Sequence, residues 1–166
     1  ISKSGFISLG IDRQSQPMES SRAQMLLSAN ADAYETQLMR KMLSDMTAFD
    51  RLSTTFRFRT ASSRLDERGR IDMVPLVDYL QNQPQDTEVL LVGFTDSVGA
   101  FDSNRALSEN RARAALVELE SYGKGRLDNL KLSSVGYGEI APSGCNIAES
   151  GRRINRRVEV WIKSPT

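Results

Sequence analysis

The feature that most constrains the fold is an unbroken apolar run, Val89-Leu90-Leu91-Val92, in a segment of strand length. Such a run is typical of a strand buried on both faces, whereas a half-exposed strand alternates apolar and polar residues. We therefore predict a buried strand over residues 87–94. No apolar run approaches the roughly 18 residues that a membrane-spanning helix needs, so we expect no such helix in this chain.

Alternating apolar and polar residues predict three more strands, over residues 54–59, 130–137 and 158–162. Helical spacing predicts the elements between them: a helix over residues 71–80 with Pro75 in or near its first turn, a helix over residues 104–122 that ends at Gly123, and a short helix over residues 148–155. The order β-α-β-α-β-(short α)-β indicates an α+β fold, an α/β sandwich of helices on a sheet.

A further stripe of apolar residues predicts a long helix over residues 21–49, before the first strand. The stripe recurs every three or four positions, without Gly or Pro: Leu27, Ala31, Tyr34, Leu38, Met42 and Met46. A helix that packs on the domain is the favoured interpretation, and a dimer-forming or domain-linking helix is the alternative. We divide the chain into an N-terminal extension, residues 1–50, and a folded domain, residues 51–166.

The charge balance and the lack of histidine argue against several function classes. The chain has 22 Lys and Arg against 21 Asp and Glu, a net charge of +1, which does not create the positive field that nucleic-acid binding usually requires. It has no His and one cysteine, Cys145, so His-based triads, most zinc sites and an internal disulfide are excluded. We expect no metal, no cofactor and a free, inert thiol.

An ordered series of short motifs fills the second half of the chain. It comprises Gly93-Phe94-Thr95-Asp96-Ser97-Val98-Gly99, Asn104, Leu107-Ser108, Arg111-Ala112, Gly136-Tyr137-Gly138-Glu139, Pro142, Asn146, Gly151-Arg152 and Asn155-Arg156-Arg157-Val158-Glu159. Over residues 52–163 this series resembles the OmpA-like C-terminal domain family, shared by outer-membrane proteins, peptidoglycan-associated lipoproteins and flagellar stator proteins. The sequence departs from the family pattern at Phe94, where many members carry His or Tyr, and at Arg59, where the first strand often ends with Asp.

The resemblance implies a mixed four-stranded sheet with helices packed on one side, and a site that binds the stem peptide of peptidoglycan without catalysis. In that family the ligand is centred on diaminopimelate, and an Asp meets its ammonium while an Arg meets its carboxylate. Those roles fall on Asp96 and Arg111 here. The Asn that opens the second helix of the family domain falls on Asn104.

The residues themselves suit the same chemistry. Asp96 follows the buried strand, at the sheet edge where ligands bind in helix-on-sheet folds. Asn104 and Arg111 are seven positions apart, nearly two helical turns, so they share a helix face. A carboxylate and a guanidinium that face one cleft suit a zwitterionic ligand. The alternative is that Asp96 and Arg111 bridge each other and only support the fold.

Four further residues complete the predicted site: Thr95, Ser97, Leu107 and Arg156. Arg156 belongs to the densest basic run of the chain, which also contains Arg152, Arg153 and Arg157. Because strand side chains alternate, Arg156 and Arg157 should point to opposite faces, one supporting the site and the other solvated. A run that is solvated throughout is the alternative.

We therefore expect a periplasmic domain that tethers an envelope protein to the cell wall and catalyses nothing. A domain that binds other envelope proteins without contacting the wall is the alternative. A hydrolase with paired carboxylates is disfavoured, because Asp96 with Asp102, and Asp66 with Glu67, have no accompanying His, nucleophile elbow or metal cluster. Since every motif follows residue 52, we expect removal of residues 1–50 to lower thermal stability and to leave wall binding largely intact.

A shorter resemblance lies at the start of the chain. The segment Lys3-Ser4-Gly5-Phe6-Ile7-Ser8-Leu9 is similar to the closing segment of periplasmic phosphate-type solute-binding proteins. It leads us to expect that residues 1–50 include the tail of an upstream solute-binding domain.

Overall fold

A computed structural model describes residues 33–140 and 149–166. The elements of these two ranges, in chain order, are α1 (Ala33–Ala48), β1 (Asp50–Arg57), α2 (Glu67–Leu80), β2 (Glu88–Phe94), α3 (Phe101–Gly123), β3 (Lys131–Gly136), α4 (Glu149–Asn155) and β4 (Arg157–Lys163). This is the predicted element order. The segment Lys3–Leu9, the start of the predicted long helix and Cys145 lie outside the described residues.

The four strands form one mixed sheet in the order β1-β4-β2-β3. β4 runs antiparallel to both β1 and β2, whereas β2 and β3 are parallel. The predicted mixed sheet is therefore confirmed. Because β2 is interior, both its edges are hydrogen-bonded and both its faces are covered. Every residue from Val89 to Phe94 is buried, as the unbroken apolar run predicted.

One face of the sheet packs against α2 and α3, and we call it the inner face. Its side chains alternate along the strands, as shown by Val89 and Leu91 of β2 and by Val158 and Val160 of β4. Opposite them lie the buried residues of the two helices, among them Met73, Leu76, Val77, Leu80, Ala115 and Leu119. This side of the sheet confirms the helix-on-sheet packing expected of the family domain.

The other face, which we call the outer face, is covered by α1. The buried side chains that α1 contributes, Leu38, Met39, Met42 and Met46, cluster with strand residues that include Leu90, Val92 and Trp161. The predicted apolar stripe is thus confirmed for Leu38, Met42 and Met46, and its role in the structure is to pack on the domain. The sequence pattern indicated an apolar helix face and left open which surface that face would cover.

The largest differences from the predicted boundaries, four residues each, are at the starts of β1 and α2. β1 begins at Asp50 rather than at residue 54, and its register with β4 shifts between Arg51 and Thr55. Such an irregularity interrupts the simple alternation on which the prediction depended. α2 begins at Glu67 because Asp66 caps it, accepting a hydrogen bond from the Gly69 amide at 2.8 Å.

The placement of α2 residues also needed correction. Pro75 lies well inside the helix, not in or near its first turn. Ile71 and Val74, two apolar residues of the helix predicted over residues 71–80, are 60% and 50% exposed, whereas Val77 is fully buried. The periodicity located the helix but did not distinguish which of its apolar residues reach the core. In the described ranges, no helix combines the length and the apolar character needed to cross a membrane.

Two glycines set the position of α3 on the sheet. A Cβ atom on Gly93 of β2 would lie 2.0 Å from the Ser108 carbonyl oxygen, and one on Gly136 of β3 would lie 2.3 Å from the Glu109 amide nitrogen. Any side chain at either position would therefore push α3 away from the strands. The backbones meet directly at Ser108, midway between Asn104 and Arg111, so this contact fixes where those side chains lie.

Candidate functional site

Asp96 lies directly after β2, and Arg156 lies directly before β4, beside it. One carboxylate oxygen, Oδ2, is 3.0 Å from Nη1 of Arg156, and the other accepts a hydrogen bond from the Val98 amide at 3.1 Å. Both residues are buried. The Asp96 carboxylate is therefore an internal charge just beyond a central strand, held by a cation that directly precedes the adjacent strand.

Arg156 connects three parts of the site. Its Nε donates to the Phe58 carbonyl at 3.0 Å, and Nη2 donates to the carboxylate of Glu149, at the start of α4. Burial opposes its charge, but the hydrogen bonds to Glu149 and Asp96 outweigh burial, and the net effect raises the pKa of Arg156. The guanidinium stays protonated and links the segments that follow β1 and β2 to the start of α4. Glu149 was not among the predicted site residues.

Arg111 of α3 is completely buried next to this pair. Its Nε donates to the Ser62 carbonyl at 2.8 Å and its Nη2 to the Arg59 carbonyl at 3.0 Å, while its guanidinium carbon lies 5.5 Å from the Phe58 ring centre. The third nitrogen, Nη1, is buried and has no hydrogen-bond partner among the described residues.

The surroundings of Arg111 lower its pKa, but not enough to remove its charge at neutral pH. Burial, then the nearby charge of Arg156, lowers the pKa of Arg111 to about 10, and the carboxylate of Asp96 acts in the opposite direction. Arg111 is therefore protonated at neutral pH. Its hydrogen bonds go to carbonyl groups and those of Asp96 go to Arg156 and Val98, so the mutual Asp96–Arg111 bridge considered from the sequence is not formed.

The floor of the site is built by the segment after β3. The Thr95 amide donates to the Gly138 carbonyl at 2.8 Å, and the Gly138 amide donates to the Ser108 hydroxyl at 2.9 Å. Asn104, in the first turn of α3, donates to the Glu139 carboxylate at 2.8 Å. The Thr95 hydroxyl is buried and lacks a partner in the described ranges. These contacts tie the loop after β2 to α3 and leave Thr95 with an unused donor.

The predicted site residues thus fall into two groups. Five of them are buried together around the end of β2: Thr95, Asp96, Asn104, Arg111 and Arg156. Ser97 is exposed and Leu107 is half-buried, so these two lie at the periphery. The helix-face argument that joined Asn104 to Arg111 is confirmed, since both side chains and Ser108 between them are buried.

Arg157 corrects the prediction that one of the two adjacent arginines is solvated. As expected, it points away from Arg156, toward the outer face, but it is buried. Its guanidinium lies 4.0 Å from the Phe94 ring centre, and its Nε donates to Glu159 at 2.7 Å. Phe94, the departure from the family pattern, is the aromatic surface that receives this cation. The carboxylate of Glu159, two residues further along β4, makes burial of the Arg157 charge possible.

Comparison with known proteins associates this arrangement with one family. The model of the OmpA family matches residues 57–156. Outer membrane porin F from Pseudomonas aeruginosa is 35% identical over 115 residues, which make up 69% of this chain and 32% of that protein. The chain therefore spans about a third of the length of this curated relative.

Two solved structures share the fold. The peptidoglycan-associated lipoprotein from Burkholderia pseudomallei superposes with a TM-score of 0.58 and 25% identity, covering 66% of this chain and 89% of that one. The C-terminal domain of MotB from Helicobacter pylori superposes with a TM-score of 0.58 and 27% identity, covering 68% of this chain and 86% of that one.

Proposed function

We propose that this chain, which belongs to the OmpA family, binds peptidoglycan non-covalently through the diaminopimelate of the stem peptide. Binding from the periplasm would tether an envelope protein to the cell wall, with no covalent chemistry. The proposal agrees with the names of its relatives, which include an outer membrane porin and a peptidoglycan-associated lipoprotein.

The observation that carries the proposal is the unused hydrogen-bonding capacity of a buried cation beside a buried anion. Arg111 uses two of its three nitrogens on carbonyl groups, and Nη1 has no partner among the described residues. A buried charged donor without a partner is costly to a fold. A ligand carboxylate at Nη1 would satisfy that donor through a charge-assisted hydrogen bond.

Asp96 supplies the complementary charge. Its carboxylate already accepts from Arg156 and from the Val98 amide, but two oxygens offer about four lone-pair sites, so an ammonium can still bind. The free end of diaminopimelate carries an ammonium and a carboxylate on one carbon atom. A lysine side chain carries only the ammonium, so it leaves Nη1 of Arg111 unsatisfied.

The test is a calorimetric titration with muropeptides that contain diaminopimelate or lysine, together with sedimentation on purified wall sacculi. We expect tighter binding of the diaminopimelate form. Asp96→Asn and Arg111→Lys should each weaken it by about 30-fold or more, because loss of one partner of a desolvated charge pair costs about 2–5 kcal/mol. Arg126→Gln is the matched control, since Arg126 is an exposed residue paired with Asp78 on the surface.

Thermal melting of the same variants separates binding from folding. The sequence suggested that both side chains line a cleft and not the core, but Arg111 is fully buried and holds two carbonyl groups of the loop after β1. We therefore expect Arg111→Lys to lower stability moderately and Asp96→Asn less. Unchanged affinity in folded variants, or equal affinity for both muropeptides, would contradict the proposed ligand.

A further inference from the structure

A groove between α2 and α3 has features that the wall-binding proposal does not use. It has a volume of about 460 Å³, and the residues that matter here are Arg64, Leu65, Arg70, Arg113, Val117 and Glu118. We call it the arginine groove. Its lining includes Ser63, the residue after Ser62, whose carbonyl Arg111 holds, so the groove and the proposed wall site share one short loop.

The charge of the groove is unbalanced. Arg64, Arg70 and Arg113 are all exposed, and none of them forms an ion pair with any residue in the described ranges, whereas Glu118 is the one carboxylate of the lining. Three positive charges against one negative charge give a local excess of +2, in a chain whose total net charge is +1.

Nearby arginines on the same helices behave differently. Arg68 of α2 lies 3.5 Å from Asp72, and Arg105 of α3 lies 3.1 Å from Glu109, each one helical turn away. Their positive charge is therefore compensated within the helix. In the arginine groove, by contrast, three arginines form no ion pair within the described residues, and Glu118 is the one carboxylate of the lining.

The groove also exposes apolar surface between these cations. Val117 is 58% exposed, and the buried Leu65 forms part of the lining. A single exposed apolar residue needs no explanation, but this one lies in a groove with three arginines, and Arg is enriched in protein interfaces.

We infer that the arginine groove binds an acidic protein segment that carries apolar side chains. Each guanidinium can hold a carboxylate through two parallel hydrogen bonds, while an apolar side chain of the segment covers Val117 and Leu65. A plain polyanion would leave the apolar surface exposed, and a purely apolar segment would leave three cations beside it without partners. A segment that pairs with the arginines and also covers the apolar surface must be both acidic and amphipathic.

The test uses fluorescence anisotropy of a labelled synthetic peptide in which Glu and Leu alternate, blocked at both ends. We expect it to bind the full chain. The double variant Arg70→Gln with Arg113→Gln should weaken binding by about tenfold, the effect of losing two surface charge contacts. Val117→Ser should weaken it by about threefold. Arg68→Gln is the matched control and should leave binding unchanged, because Arg68 lies on the same helix outside the groove.

Three comparisons decide the inference. Labelled poly-glutamate should bind more weakly than the amphipathic peptide, and equal binding would show a non-specific charge effect. Displacement of the peptide by a diaminopimelate muropeptide would assign the groove to the wall site and overturn the inference. Sacculus sedimentation of the double variant should match that of the unmodified chain, so failure of this inference is distinguishable from failure of the wall-binding proposal. Absence of peptide binding also overturns it.

Discussion

The inner and outer faces of the sheet are buried by different kinds of contact. On the inner face, aliphatic strand residues such as Leu91 and Val160 pack against the apolar sides of α2 and α3. On the outer face, methionines of α1 cover Leu90 and Trp161, and charged residues are buried beside them. The inner face depends on shape and apolar area, whereas the outer face also depends on matched polar partners.

The buried charges of the outer face centre on Glu159 of β4. Its carboxylate accepts from Arg157 at 2.7 Å, from the Trp161 indole at 2.9 Å and from Arg51 at 3.3 Å. Burial acts to raise its pKa, but the charges of Arg157 and Arg51 outweigh burial, and the pKa of Glu159 is lowered. An ion buried in this way requires a partner of opposite charge, whereas a buried apolar side chain does not.

A polar contact also joins α1 to Tyr137, the residue directly after β3. The hydroxyl of buried Tyr137 donates to Asp45, and Lys41 donates to the same hydroxyl at 3.1 Å and to Asp45 at 2.9 Å. Burial first, and then the hydrogen bond to Asp45, raises the pKa of Tyr137. Methionine packing tolerates small shifts of a helix. These hydrogen bonds therefore fix the position of α1 more strictly than the apolar contacts do.

The largest effect is expected when residues 1–50 are removed, which tests the proposed domain boundary. The truncation uncovers Leu90, Val92, Phe94 and Trp161, and deleting a single buried Leu or Met side chain alone typically costs about 2–5 kcal/mol. We expect a large fall in melting temperature and increased binding of a hydrophobic dye. Binding to sacculi by the molecules that remain folded should persist, because the proposed site is built from residues 58–156.

An intermediate effect is expected for Glu159→Gln, which removes the carboxylate that accepts a hydrogen bond from the buried Arg157. We expect a loss of about 3 kcal/mol in urea unfolding at neutral pH, at the lower end of the range for breaking a buried ion pair. Glu88→Gln is the control, since Glu88 pairs with Lys163 at the surface. A loss no greater than that of the control would show that the outer face does not depend on the ion pair.

The pH dependence of Glu159 supplies a second measurement on the same variant. Because its pKa is lowered in the folded chain, its contribution to stability is present above the unfolded value of about 4.3 and is lost as pH falls through the folded pKa. The unmodified chain should therefore lose more stability than Glu159→Gln when the pH is lowered from 7 to 3. An equal loss of stability in the two chains between pH 7 and pH 3 would contradict the stabilising role of the Glu159 carboxylate.

The smallest effect is expected for Tyr137→Phe, which removes the hydroxyl and keeps the ring. The loss at neutral pH should be about 1 kcal/mol, the usual net value of one hydrogen bond, since Lys41 continues to pair with Asp45. Because the folded pKa of Tyr137 is raised, its contribution is present below the unfolded value of about 10 and decreases above it. Between pH 8 and pH 11, the melting temperature of the variant should therefore fall less than that of the unmodified chain.

The sequence predicted the elements of this fold better than it predicted their partners. Periodicity is a local property, so the strand containing Val89–Val92 and the helix carrying Asn104 and Arg111 could be located from it. The contact of Arg156 with Asp96 joins residues 60 positions apart, and no local pattern reports it. The burial of Arg157 was missed for the same reason, because its stacking partner Phe94 lies on another strand.

The position of the proposed site relative to β1 has a mechanical consequence. Asp50 begins β1 at one end of the sheet, opposite Ile162, whereas Asp96 follows β2 at the other end, where Phe94 lies opposite Arg157. A pulling force between Asp50 and a ligand held at Asp96 would run parallel to the strands. It would load the β1–β4 and β4–β2 ladders in shear, so that their hydrogen bonds share the tension instead of opening one after another.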